Sequence, residues 1–138
     1  MSKTINIENF FTEKNEREGV WHEPVIDGKP IGLEFLLIGI HPEEVAVKLE
    51  KLDERSEAIR KSDKDDSKKR EELEDLDAER VAVLTKDIRA KNGATLVVND
   101  EPIEFSVEFM KNFYKKCPSI KMDNIEFVLK SSNFMILD

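Results

Sequence analysis

The chain has 138 residues, enough for one domain or one domain with a flexible arm, and too few for two large cores. Its 22 basic and 30 acidic residues give a formal charge of -8. That balance argues against nucleic acid as a partner, because phosphate-backbone binding relies on clustered Lys and Arg that release counterions. Charged residues make up 38% and the hydrophobic set 39%, so a modest apolar supply must be collected on amphipathic helices.

Residues 1–18 are polar apart from Ile5, Ile7, Phe10 and Phe11, and read as a flexible N-terminal arm with a Phe pair available for docking. The opening Met-Ser-Lys-Thr-Ile-Asn has no basic stretch followed by an apolar run, and no apolar stretch is long enough to span a bilayer. The single Cys117 leaves no intrachain disulfide and no paired thiolates for a structural zinc site. A reducing cytoplasm with no membrane partner is the expected setting.

Residues 19–138 are expected to form a single domain. Within it, residues 19–26 and 29–38 flank an Asp27-Gly28 pair, the turn chemistry of a β-hairpin occupying 19–40. Pro24 and Pro30 cannot donate to a ladder and mark its strands as edge-like or irregular. His41-Pro42-Glu43-Glu44 opens a helix, with Pro at its start and carboxylates where the macrodipole favours them. Val45, Leu49, Leu52 and Ile59 draw one narrow apolar stripe on a charged cylinder. The stripe resumes through Leu73, Leu76, Val81, Leu84 and Ile88 and stops at Asn92-Gly93, a good C-cap pair. Residues 61–70 between them contain no apolar side chain and are expected at the tip of a long charged helical hairpin over 42–92.

Over 94–138, residues 94–105 read as a short β excursion turning at Asn99-Asp100. Ser106 is placed to cap a helix carrying Phe109, Met110 and Phe113. Pro118 ends that helix and begins another, striped by Met122, Ile125, Val128 and Leu129. The expected fold class is therefore α+β, mainly helical: an N-terminal β-hairpin, a long charged antiparallel helical hairpin and a C-terminal two-helix unit.

Candidate chemistry is sparse. His22 and His41 have no second His or Cys at metal-ligand spacing, and both read as structural. Cys117, beside Lys115 and Lys116, would need one of these histidines next to it to act as a nucleophile. Cys before Pro at a helix junction reads first as a small buried group. Asp63-Lys64-Asp65-Asp66 hints at a calcium loop, but Lys68 stands where the turn needs Gly, and four interspersed cations repel a metal even though Glu74 falls at the twelfth position. The glycines form no phosphate-binding fingerprint. No catalytic, cofactor or metal residue is therefore assigned. Phe105, Phe109 and Phe113 read as core-facing, whereas Phe127, Phe134, Met135, Ile136 and Leu137 form a candidate apolar surface for a partner chain.

A helical segment over 78–88, then Asn99-Asp100-Glu101-Pro102-Ile103-Glu104-Phe105-Ser106, Phe109, Phe113, Pro118-Ser119-Ile120, Ile125 and Asn133-Phe134 follow one another in order. Gly19-Val20-Trp21 and the Asp27-Gly28 hairpin precede them. Over about residues 19–134 this punctuation resembles the tail assembly chaperones of long-tailed bacteriophages. The resemblance implies a non-catalytic protein in the cytoplasm of a bacterial host, without cofactor, that binds the tape measure protein and helps tail tube protein assemble around it. It also implies self-association and absence from the mature virion. The competing readings are a structural minor tail or head-to-tail joining protein of the virion and, furthest from the pattern, a small enzyme pairing Cys117 with His22 or His41.

Overall fold

The Asp27-Gly28 turn forms as its chemistry dictates: both residues have positive φ, 52° and 76°, the twist that closes a two-residue hairpin. In the computed structural model, which describes residues 3–137, the turn joins β2 (Val25–Ile26) to β3 (Lys29–Pro30). Outside this ribbon, β1 (Val20–His22) pairs antiparallel with β4 (Leu33–Leu37), with Val20 opposite Leu37 and His22 opposite Phe35. The two ladders are out of phase because the returning strand carries extra residues, and buried Pro24 sits at the break, its carbonyl accepting from Ile31 N–H at 3.3 Å. The expected hairpin is thus present, divided where proline removes a ladder donor.

A third strand, β5 (Thr85–Ala90), lies on the other side of β4 and completes an antiparallel sheet in the order β1-β4-β5. This corrects the expected second helix, which ends at Val83 instead of running to Asn92-Gly93. The reason is a bulge: Leu36 faces Asp87 but Leu37 faces Thr85, leaving Lys86 as an extra residue. The extra residue turns both Thr85 and Ile88 toward the core, so a strand acquires the three-residue spacing of a helix. Asn92-Gly93 then closes the strand, with Gly93 N–H donating to Ala90 O at 3.1 Å.

The remaining helices are α1 (Glu13–Glu18), α2 (Glu43–Arg60), α3 (Asp66–Val83), α4 (Val107–Lys116) and α5 (Pro118–Val128). Helix α2 and helix α3 form the charged hairpin over a link shorter than expected, because Asp65 accepts Lys68 N–H at 2.8 Å and starts α3 there. Ser106 caps α4 by accepting Phe109 N–H at 2.9 Å, and Pro118 opens α5. Between β5 and α4, a second ribbon of β6 (Val97–Val98) and β7 (Glu101–Pro102) turns at Asn99-Asp100, both at positive φ. The fold is α+β as the sequence indicates.

The core lies between the sheet and helices α3, α4 and α5. Phe35 and Leu37 project into it from β4 and meet Val81, Ala82, Leu84, Met110, Tyr114 and Val128. The opposite face of the sheet carries Trp21 with the Arg89 guanidinium 3.7 Å over its ring, and Arg89 is held by Glu34 at 2.9 Å. On the last helix the expected stripe is partly displaced: Val128 is buried and Ile125 packs against the core as expected, but Met122 and Leu129 are exposed and Asn124 takes a buried position. The displacement follows from a polar chain at the centre of the core. Asn124 Nδ2 donates to the Tyr114 hydroxyl at 2.9 Å. That hydroxyl lies 2.8 Å from Thr85 Oγ1, which donates to Val81 O at 2.8 Å. With Thr85 committed as donor to the carbonyl, the Tyr114 O–H points at Thr85. Burial pushes the Tyr114 phenol up to about 12, so it stays protonated and able to donate. Replacing Tyr114 by Phe leaves Thr85 and Asn124 buried without that partner. The expected loss is about 1–3 kcal/mol of unfolding free energy in a denaturant titration, with the m-value unchanged.

Candidate functional site

The two ends of the described chain meet. A 3-10 helix, Ile7–Phe10, is capped by Asn6, whose side chain accepts Glu8 N–H at 3.0 Å, and Thr12 then leads into α1. At the other end a second 3-10 helix, Ser131–Phe134, bends the chain after α5, with Asn133 Nδ2 donating to Phe127 O at 2.8 Å. Ile136 N–H donates to Asn9 O at 2.8 Å and Asn15 Nδ2 to Phe134 O at 2.9 Å, so the first and last segments run side by side.

Apolar exposure concentrates there. Among the described residues, Ile5, Ile7, Phe10, Phe11, Leu129, Ile136 and Leu137 are seven of thirteen exposed large hydrophobic side chains. The structure thus divides the five predicted partner-binding residues. Ile136 and Leu137, 61% and 55% exposed, belong to this surface. Phe134 does not, and its assignment as a partner-binding residue is corrected: at 1% exposure it is core, turned inward by the bend at Asn133. Phe127 is half-buried, stacked on His22 at 4.1 Å between ring centroids and edge-on to Phe134 at 6.0 Å. Met135 is half-buried between Phe134 and the exposed pair.

In the N-terminal half of the surface the sequence points only to a Phe pair available for docking, and Ile5 and Ile7, which share its polar segment, belong to the same exposed set. The flexible arm expected over 1–18 is corrected for its second half, since α1 is part of the folded body; Met1 and Ser2 lie outside the described residues. The anchor is Glu16, 3% exposed. Its Oε2 accepts from Thr12 Oγ1 at 2.7 Å, and its Oε1 accepts from His41 Nδ1 at 2.7 Å and His41 N–H at 3.4 Å. Burial pushes the Glu16 carboxyl up, but the hydrogen bonds from Thr12 and His41 outweigh it and hold the group below its ordinary value. Gly39 makes room: a Cβ there would lie 2.2 Å from Glu16 Cγ and Oε1.

His22 Nε2 pairs with Asp123 Oδ1 at 2.5 Å, so each histidine has a carboxylate partner, while Cys117 is half-buried at the α4–α5 junction. Among the described residues no three His, Cys, Asp or Glu side chains are grouped to hold a metal ion, and no helix is long and apolar enough to cross a membrane. The arrangement offers a surface for apolar contact. Compared with models of known protein families, with curated proteins and with solved structures, the chain matches none.

Two outcomes follow from the Glu16 anchor. Gly39→Ala is expected to drive the carboxylate from its site and cost about 1–3 kcal/mol, with hydrogen exchange of residues 12–18 rising before that of α3. Because the folded-state pKa of Glu16 is lowered, its stabilisation is full above the ordinary carboxylate value and is lost as the pH falls through the folded value. The stability gap between wild type and Glu16→Gln should therefore narrow below about pH 4.5 in urea titrations across the acid range.

Proposed function

We propose that this chain is a non-catalytic assembly protein, and specifically a tail assembly chaperone of a long-tailed bacteriophage. In this reading it works in the cytoplasm of the bacterial host, holds the tape measure protein while tail tube subunits assemble around it, associates with further copies of itself, and is left out of the finished particle. One observation carries the reading: the two terminal segments, each bearing exposed apolar side chains, are joined by the Asn9–Ile136 hydrogen bond, on a protein of net charge -8. A long apolar helical client needs many weak apolar contacts, and an acidic exterior keeps such a complex in solution. The punctuation shared with the chaperone family, from Asn99 to Phe134, supplies the choice of client.

Co-expression with a tape measure protein tests this. The wild-type chain should keep the client in the soluble fraction and co-purify with it, and should be missing from purified virions. Phe10→Ser with Phe11→Ser, and separately Ile136→Asp with Leu137→Asp, should each lower the recovered soluble client several-fold while leaving the far-UV circular dichroism of the chain unchanged. Recovery of the chain from mature virions would instead establish the minor tail or head-to-tail joining reading. Loss of client solubility on Cys117→Ala, in a folded variant, would return attention to the thiol.

A further inference from the structure

A second apolar surface lies away from the joined ends. The β6–β7 ribbon stands beside the edge strand β5, and the open groove between them is lined by Ile88, Arg89, Ala90, Leu96, Pro102 and Ile103. Leu96 and Ile103 are half-buried against the core, while Val97 and Val98 are each 53% exposed at the ribbon and Val107 continues the apolar surface onto the start of α4. Strand addition at the middle of β5 is blocked, since Ile88 N–H is already taken by Asp87 Oδ1 at 2.8 Å. Recognition in this groove falls to side chains.

The charge around the groove selects the occupant. From Asn92 to Met110 the chain carries Asp100, Glu101, Glu104 and Glu108 and no basic residue. All four are exposed, and among the described residues none forms an ion pair. Arg89, the one charged residue lining the groove, is engaged by Glu34, Lys91 by Glu23 at 2.8 Å and Lys111 by Glu79 at 3.6 Å, while Lys115 pairs with Asp75 at 2.6 Å and also feels the charge of Glu108. A groove whose lining residues Pro102 and Ile103 are flanked in sequence by the exposed, unpaired carboxylates Glu101 and Glu104 disfavours a second copy of this acidic chain and attracts a segment of opposite sign. The geometry points to the β5–ribbon groove as the docking site for a polypeptide segment in which apolar side chains alternate with Lys or Arg. The site does not depend on the chaperone reading.

The probe is a labelled amphipathic peptide of Leu and Lys, compared with its Leu and Glu counterpart by fluorescence anisotropy. The Leu-Lys peptide binds and the Leu-Glu peptide does not. Val97→Ser with Val98→Ser weakens binding about tenfold without changing charge, and Glu101→Gln, Glu104→Gln and Glu108→Gln together weaken it about tenfold and flatten its salt dependence. The same charge removed at Glu50, Glu54 and Glu74 leaves binding within about twofold of wild type. Amide shift changes on peptide addition to the wild-type chain fall in residues 88–108, which tests the site even where a variant is unstable. Equal weakening by the Glu50, Glu54 and Glu74 set means that bulk charge alone attracts the peptide, and overturns the proposal. A homo-oligomer dissociated by the Val97 and Val98 changes, with no peptide effect, overturns it in favour of a second copy.

Discussion

One buried chain of hydrogen bonds holds the architecture together: Asn124 to Tyr114, Tyr114 to Thr85, Thr85 to the carbonyl of Val81. It joins α5, α4, β5 and the end of α3 inside the core, where these four elements otherwise meet through apolar contact. Apolar packing is tolerant of direction, whereas each of these groups left unpaired inside the core costs about 1–3 kcal/mol. The chain therefore sets how far α5 is rotated and where α3 must stop. Val81 O, engaged by Thr85 Oγ1 one turn on, lies where the helix gives way to the strand.

Helix α3 is shared by every helical neighbour, and its charges have the same geometry as its packing. Asp75 reaches Lys115 on α4, Asp77 reaches Lys121 on α5, and Glu79 reaches both Arg55 on α2 and Lys111 on α4. The Asp75 hydrogen bond holds the Lys115 ammonium above its ordinary value. These pairs are mostly solvent-facing, and such pairs contribute about 0–1 kcal/mol each, so burial of Leu76, Ala78, Val81 and Ala82 supplies the stability. The charges act on register instead. With so thin an apolar seam between α2 and α3, sliding by one turn would expose little, but it would separate Arg80 from both Asp53 and Ser56.

The local punctuation was legible in the sequence. Asp27-Gly28, Asn99-Asp100, Ser106 and Pro118 each act where their backbone chemistry requires, because turns and caps depend on a few adjacent residues. What misled was periodicity that a tertiary contact had altered. The bulge at Lys86 gave Thr85–Ala90 a helical spacing, and the polar chain through Asn124 moved the buried face of α5 off Met122 and Leu129. Within the candidate site, Ile136 and Leu137 could be named from composition, but Phe134 could not be told from them. Its burial depends on the bend at Asn133, and the pairing of residues near the N-terminus with that tail is a contact across nearly the whole chain.

The joining of the two ends also has a temporal side. Residues 5–11 are synthesised well before Ile136 and Leu137, so for most of synthesis a nascent chain holds half of the apolar surface and lacks its complement. The Asn9–Ile136 hydrogen bond can close only after the intervening domain has emerged and folded enough to return the tail to the start. A partner that needs both halves therefore distinguishes chains in which the two segments have joined from those in which only the first has been made.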